Sequence, residues 1–120
     1  MFASNFTVKD EDFKWLRGQD KLTRYSRDDT TTTNSDMATF FCSICGTIMN
    51  RVSAGFPGAN FLRIGTVDDF NLQATTLKPK TELFTDTRFS WVHGVEGAKQ
   101  NKGLYYAEQK REQAKLPEKL

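Results

Sequence analysis

The alternation of apolar and polar residues along the chain predicts short β-strands and no long helix before the C-terminal tail. The segment "KLTRY" alternates polar and apolar residues as a half-buried strand does, and "FLRIGTV" is a strong strand candidate. "MATFFCSIC" predicts a strand that ends at the cysteines, and "GTIMNRV" predicts a second strand that leaves them. "TELFTDTRFSWVHGV" predicts one more strand and an aromatic-rich segment. The fold class is therefore mainly β with short helical pieces.

The segments between these strands predict turns and loops. "NFTVKDEDFKWLRGQDKLTRY" predicts two strands around a short helical turn, which Asp10 is expected to cap and Gly18 to end. Phe13, Trp15 and Leu16 are expected to face partly inward. "SRDDTTTTNSD", "AGFPGAN" and "DDFNLQATTLKPK" predict a loop, a tight turn and a turn before Pro79.

Composition is typical of one small globular domain. The chain has 120 residues, of which 38% are hydrophobic and 12% aromatic, and large aromatic side chains suit strands. The sequence contains no apolar run of about 18 residues, so it predicts no membrane span. The N-terminus lacks the features of a signal peptide. The sequence thus predicts a cytoplasmic protein. A net charge of +2 gives no argument for nucleic-acid binding.

The last residues mix Lys and Arg with Glu, in "KQNKGLYYAEQKREQAKLPEKL". This pattern predicts a solvated tail, in part a frayed helix, rather than a binding arm. We therefore expect one domain over residues 1–104 and a charged tail over residues 105–120.

The two cysteines, Cys42 and Cys45, lie in "FFCSICGTIM" and have the spacing of half a zinc site. A zinc knuckle is the preferred interpretation, because Gly46 lets the chain turn back so that backbone amides can point at the thiolates. A redox pair is the second, but β-branched Thr47 argues against the helix that such a pair needs. The third interpretation is that the two cysteines are unrelated thiols in the core.

A structural zinc ion normally takes four ligands, and this chain supplies two cysteines. The single histidine, His93, is interpreted as a surface or half-buried imidazole rather than a ligand. Three possibilities stay open at this point. Two chains share a metal ion, further ligands belong to an earlier segment, or no metal binds.

Four segments, in order over roughly residues 2–100, resemble the glutathione-dependent formaldehyde-activating enzyme family, which includes centromere protein V, and most closely its fungal members. They are "FASNFTVKDEDFKWLRGQDKLTRY", "FFCSICGTIMNRVSAGFPG", "FLRIGTVDD" and "LKPKTELFTDTRFSWVHGV". The resemblance implies a small tent-like arrangement of β-sheets around zinc. It also implies a zinc-dependent carbon–sulfur lyase that acts on glutathione adducts.

In that family pattern, Cys42 and Cys45 match the late pair of a structural zinc site. The family's first Cys-x-Cys and the three cysteines of its reactive zinc site have no counterpart in this sequence. The resemblance therefore implies an N-terminally shortened member in which lyase activity is the activity by descent, and the chain alone is inactive or nearly so. The alternative is a non-catalytic zinc-knuckle β module that forms a homodimer, whose two Cys-x-x-Cys pairs share one zinc ion.

Glutathione or a glutathione conjugate is then the expected small-molecule partner. Arg63, Arg88 and Lys80 are candidates to pair with its carboxylates, although exposed strand charges are the preferred interpretation of all three. Trp91 and Phe56 are interpreted as core or rim aromatics. No residue is assigned a catalytic role from this sequence.

Overall fold

The computed structural model describes residues 2–29 and 36–104. The chain divides between Lys78 and Pro79 into two compact units, which we describe separately. The charged tail predicted over residues 105–120 and most of the Thr-rich loop lie outside the described residues.

A five-stranded antiparallel sheet forms the first unit, which confirms the mainly β prediction. Its strands are β1 (Asn5–Lys9), β2 (Leu22–Arg27), β3 (Met37–Cys42), β4 (Ile48–Ser53) and β5 (Ala59–Arg63). In space they follow the order β1-β5-β4-β3-β2. The first strand therefore pairs with the last, and β2 to β5 form consecutive hairpins.

Strand pairing sorts the side chains onto two faces, because residues directly opposite each other in an antiparallel pair point to the same side. One row crosses all five strands on what we call the groove face: Arg24, Phe40, Asn50, Leu62 and Phe6. The next row lies on the opposite face: Tyr25, Thr39, Arg51, Phe61 and Thr7. Both faces mix apolar and polar residues, which is why the sequence alternation is irregular.

The apolar core of the described residues is small. Ala38 and Ile64, at 1% and 6% exposure, are the buried hydrophobic residues there. Four polar residues are buried to the same degree: Asn50, Ser53, Asn60 and Asn101. A buried polar group is costly unless it is hydrogen-bonded. Because the apolar core is small, the hydrogen bonds of these residues matter for the stability of the fold.

A chain of side-chain hydrogen bonds links β4, β5 and the turn after β1. The Asn50 amide Nδ2 donates to Asn60 Oδ1 at 2.9 Å, and Asn60 Nδ2 donates to Asp10 Oδ1 at 2.6 Å. An ionised carboxylate only accepts, so Asp10 fixes the direction of both bonds. Asn50 Oδ1 is left buried and without a hydrogen-bond partner among the described residues.

The turn after β1 differs from the prediction. Asp10 lies inside the first 3₁₀ turn, Asp10–Asp12, and caps nothing, because its carboxylate accepts from Asn60. Gly18, at φ 79°, precedes a second 3₁₀ turn, Gln19–Lys21, and does not end the first. Phe13 and Trp15 are half-buried as expected, with ring centroids 5.0 Å apart, but Leu16 is 86% exposed.

Past β4 the structure contains more helix than the pattern predicted. The strand predicted in "FLRIGTV" ends at Arg63, and Ile64–Thr66 forms a 3₁₀ turn. A short helix, α1 (Phe70–Ala74), replaces the turn expected before Pro79. Its N-cap is Asp69, whose carboxylate accepts from the Leu72 N–H at 3.0 Å. No helix in the described parts of the chain has the length and apolar character needed to cross a membrane.

The second unit is built around Glu82. The strands β6 (Thr81–Glu82) and β7 (Lys99–Gln100) pair in parallel, so the predicted strand here is only two residues long. Glu82 Oε2 accepts from the Val95 N–H at 2.9 Å, and Glu82 also contacts Gln100 and Arg88. The Gln100 bond is the main reason why the pKa of Glu82 is lowered. A Cβ atom at Gly94 would lie 2.8 Å from Arg88 Nη1, so an alanine there would require the Arg88 side chain to move.

We predict that Asn60→Ala lowers the free energy of unfolding by about 1–3 kcal/mol, because it leaves Asn50 Nδ2 buried without an acceptor. Asn71→Ala is the control, since Asn71 is exposed on α1, and it should change stability by less than about 0.5 kcal/mol. Urea unfolding of both variants measures the difference. Equal changes in the free energy of unfolding would contradict a structural role for the hydrogen bonds that link Asn50, Asn60 and Asp10.

Candidate metal and thiol site

Cys42 and Cys45 lie on a tight turn between β3 and β4. The Gly46 N–H donates to the Cys42 carbonyl at 2.8 Å, and the Cys42 N–H donates to the Thr47 carbonyl at 2.9 Å. Gly46 has φ 75°, the left-handed conformation that glycine adopts without strain. The chain then enters β4 at Ile48, which agrees with the inference that no helix follows the cysteines.

Hydrogen bonds favour the thiolate form of Cys45. Its Sγ lies 3.2 Å from Thr47 Oγ1. The pKa of Cys45 is lowered first by this hydroxyl, then by the Thr47 backbone N–H and by the Cys42 thiol. Both cysteines are free thiols, Cys42 half-buried and Cys45 exposed. The turn therefore presents a solvent-accessible thiol whose pKa is lowered, and thiolate is the form that binds soft metal ions or reacts as a nucleophile.

An open cleft of about 440 Å³ lies beside the two thiols. Met49, the extra residue of a β-bulge, lines it because the register shifts after Phe40 and pairs Phe41 with Ile48. The 3₁₀ turn after β5 and the start of α1 supply the rest of the wall: Gly65, Thr66, Val67, Asp68 and Phe70. Phe70 is 80% exposed and Asp68 is also exposed, so the cleft is accessible.

The thiol pair does not by itself fit a closed zinc site. Four ligands are normal for structural zinc, and residues 2–29 and 36–104 contain no group of three or more Cys, His, Asp or Glu side chains that could hold a metal ion. Asp68 shares the cleft, yet it does not complete such a group. His93 is exposed in the second unit. Assignment of Cys42 and Cys45 as metal ligands stays a prediction.

The basic residues considered for glutathione carboxylates have different surroundings. Arg88 is paired with Glu82 at 3.3 Å, so its charge is already used within the second unit. Arg63 donates to Asn5 Oδ1 at 2.8 Å, and partial burial followed by repulsion from Arg51 lowers its pKa. Lys80 is exposed. Of these three, Arg63 is the one on the sheet, and it lies on the face opposite the groove face.

The two aromatic residues considered as core or rim residues, Phe56 and Trp91, also have different surroundings. Phe56 is half-buried and meets Phe61 edge to face, at 5.9 Å between ring centroids. This contact fits the interpretation as a core or rim aromatic. Trp91 is 62% exposed and stacks on Phe89 with the ring planes 1° apart, so it is a surface residue and not part of the core.

Sequence reasoning missed Thr47 as a functional residue and noted it only as a residue that disfavours a helix. The signal was available, because a hydroxyl two residues after a cysteine on a tight turn can return to the sulfur. Asp68 and Met49 could not have been found this way. They reach the cleft only through the pairing of β4 with β5 and the bulge opposite Phe41.

The described residues define a small, mainly β protein whose two cysteines lie on the turn between β3 and β4. The model of one protein family, the glutathione-dependent formaldehyde-activating enzyme, matches residues 1–87. The chain therefore belongs to the glutathione-dependent formaldehyde-activating enzyme family. Neither the curated proteins nor the solved structures that were compared include a match.

Thr47→Val should raise the pKa of Cys45, because it removes the hydroxyl and keeps the backbone N–H that also contacts the sulfur. A raised pKa means less thiolate at neutral pH, so the pH of half-maximal alkylation by iodoacetamide should move upward. The measurement is made in a Cys42→Ala background, so that one thiol reacts. Thr23→Val is the control, since Thr23 is exposed on β2. A midpoint that is the same in both variants would show that the hydroxyl does not stabilise the thiolate.

Proposed function

We propose that this chain binds glutathione adducts, and that zinc is required for the carbon–sulfur chemistry of its family. We also propose that the 120-residue polypeptide on its own lacks a reactive zinc site. Membership of the glutathione-dependent formaldehyde-activating family supports the substrate class. The absence of a reactive site rests mainly on the donor count, because the whole chain has two cysteines and one histidine.

The chemical argument concerns coordination. A zinc ion that polarises a bound oxygen or activates a sulfur is held by several protein ligands and keeps one position open for the substrate. Two thiols cannot hold an ion in that way. In the described residues no third donor lies close enough to help. We therefore assign to Cys42 and Cys45 a role in binding a metal ion, and we assign no catalytic step to them.

This proposal is tested with purified, zinc-loaded protein and S-hydroxymethylglutathione. NMR exchange measurements should show the adduct forming and breaking at the spontaneous rate. A Cys42→Ser/Cys45→Ser protein is the control and should behave identically. The wild-type protein should still retain S-methylglutathione in equilibrium dialysis. A zinc-dependent acceleration that the double variant loses would contradict the proposed inactivity, and failure to retain the ligand would contradict the binding function.

A second candidate function is a non-catalytic module in which two copies share one zinc ion. The observation in its favour is the exposed, thiolate-stabilised Cys45 beside half-buried Cys42 in an open cleft. Two such pairs supply the four sulfur ligands of a structural zinc site. A two-fold dimer, the commonest closed assembly, would bring them together.

Native mass spectrometry after zinc loading separates this candidate from the first. A shared site gives a species with two chains and one zinc ion, and Cys45→Ser should abolish both the metal and the dimer. Ser43→Ala is the matched control on the same turn and should leave the stoichiometry unchanged. One zinc ion on a monomer would contradict the shared site, and His93→Ala would then test whether the histidine is a ligand.

A further inference from the structure

A second cleft, which we call the amide groove, lies on the groove face of the first unit and has a volume of about 340 Å³. Neither the family match nor the sequence motifs assign a role to it. The segment after β1 forms one wall, and β2 to β5 form the floor. Its lining residues are Trp15, Gln19, Leu22, Arg24, Phe40, Asn50, Val52 and Asn60.

The floor of the amide groove contains an unused hydrogen-bond acceptor. Asn50 is 3% exposed and Asn60 is 5% exposed. The carboxylate of Asp10 forces Asn60 to donate to it, and Asn60 must therefore accept from Asn50. Asn50 Oδ1 consequently has no donor to accept from in the described part of the chain. Asn50 lines the amide groove, and the soft terminal torsion of asparagine lets a small rotation present Oδ1 to a ligand N–H.

The walls add an aromatic surface and a positive charge. Trp15 is half-buried, and its edge contact with Phe13 holds the indole in place. Arg24 stands at the rim, where it donates to Ser26 Oγ at 3.0 Å and pairs with Asp36 at 3.3 Å. Both members of that pair are about half exposed, at 52% and 50%. Such an exposed pair is weak, so a ligand carboxylate can replace Asp36 on the guanidinium.

Strand register connects the amide groove to the thiol turn. Leu22, which lines the groove, is directly opposite Cys42. Phe40, which also lines it, precedes Cys42 by two residues on β3 and therefore points to the same face. Two residues of a strand span roughly 7 Å. A ligand the size of a tripeptide that fills the groove can thus reach the Cys42 end of the strand.

We propose that the amide groove binds the peptide part of a glutathione adduct. An amide N–H of the ligand donates to Asn50 Oδ1, the peptide backbone lies against Trp15, and a carboxylate pairs with Arg24. The adduct sulfur is then directed toward Cys42. The choice of glutathione among small peptides rests on the function proposed above, whereas the amide donor and the carboxylate follow from the groove itself.

The test uses the fluorescence of Trp15 in a Trp91→Phe background, which leaves one tryptophan in the chain. S-methylglutathione is titrated in the presence of a metal chelator, so that neither turnover nor zinc affects the signal. We expect a saturable change, and Arg24→Gln should raise the Kd about twofold to fivefold, as the loss of a half-exposed ion pair does. The diester of S-methylglutathione should bind weakly and be insensitive to Arg24→Gln.

Arg27→Gln is the matched control. Arg27 is on the same strand, is 48% exposed and pairs with Asp29, but strand alternation places it on the opposite face. The control should leave the Kd unchanged. Equal weakening by both variants, or no saturable change in Trp15 fluorescence, would overturn the proposal.

Two further ligands test Asn50 without altering the protein. In each, one of the two peptide amides of S-methylglutathione is replaced by an ester, which removes the N–H. One of them should bind more weakly than the parent. If both bind as tightly as the parent, the role of Asn50 is wrong.

Equilibrium dialysis distinguishes this inference from the function on which it rests. Ligand retained in dialysis without any dependence on Arg24 would leave glutathione binding intact and refute the groove. Ligand not retained at all would refute both the proposed function and the groove.

Discussion

The inability of an ionised carboxylate to donate a hydrogen bond is the constraint on which much of this structure depends. Asp10, in the turn after the first strand, can only accept, and this sets the orientation of the buried Asn60 and Asn50 amides in turn. The three residues tie β4, β5 and the turn after β1 together where the apolar core is small. The same constraint leaves one carbonyl oxygen unpaired beneath the amide groove. Structural support and the acceptor of the proposed binding groove therefore come from one chain of hydrogen bonds.

Strand β3 places two chemically different features on one line. Its middle, at Phe40, faces an amide acceptor, an indole and an arginine. Its end, at Cys42, begins a turn on which Thr47 stabilises the thiolate of Cys45. Our proposal of a ligand that combines a peptide with a sulfur atom rests on this arrangement. The family relationship supplies the choice of glutathione in our proposal, and the geometry supplies the hydrogen-bond acceptor and the positive charge of the amide groove.

Local patterns were enough to predict most of the strands of the sheet and the strand–turn–strand arrangement at the cysteines. Alternation identifies β2, and the apolar run before the cysteines identifies β3. The helix after Asp69 was missed because its five residues are too few to show a helical period, although an aspartate before an apolar residue is a capping signal. Asp10 was wrongly assigned as a cap because only its neighbours in sequence were considered. Its actual partner, Asn60, is 50 residues away and becomes a neighbour only when β1 pairs with β5. The amide groove depends on the same long-range pairing, so no local sequence pattern predicts it.

The sparse apolar interior has a thermodynamic consequence of its own. In the described residues two hydrophobic side chains are buried, while four polar side chains reach a similar depth. The heat-capacity increase on unfolding comes from newly exposed apolar surface and is reduced by exposed polar surface. A domain with this balance should have a broad and shallow stability curve, in which cooling and warming change the free energy of unfolding only gradually.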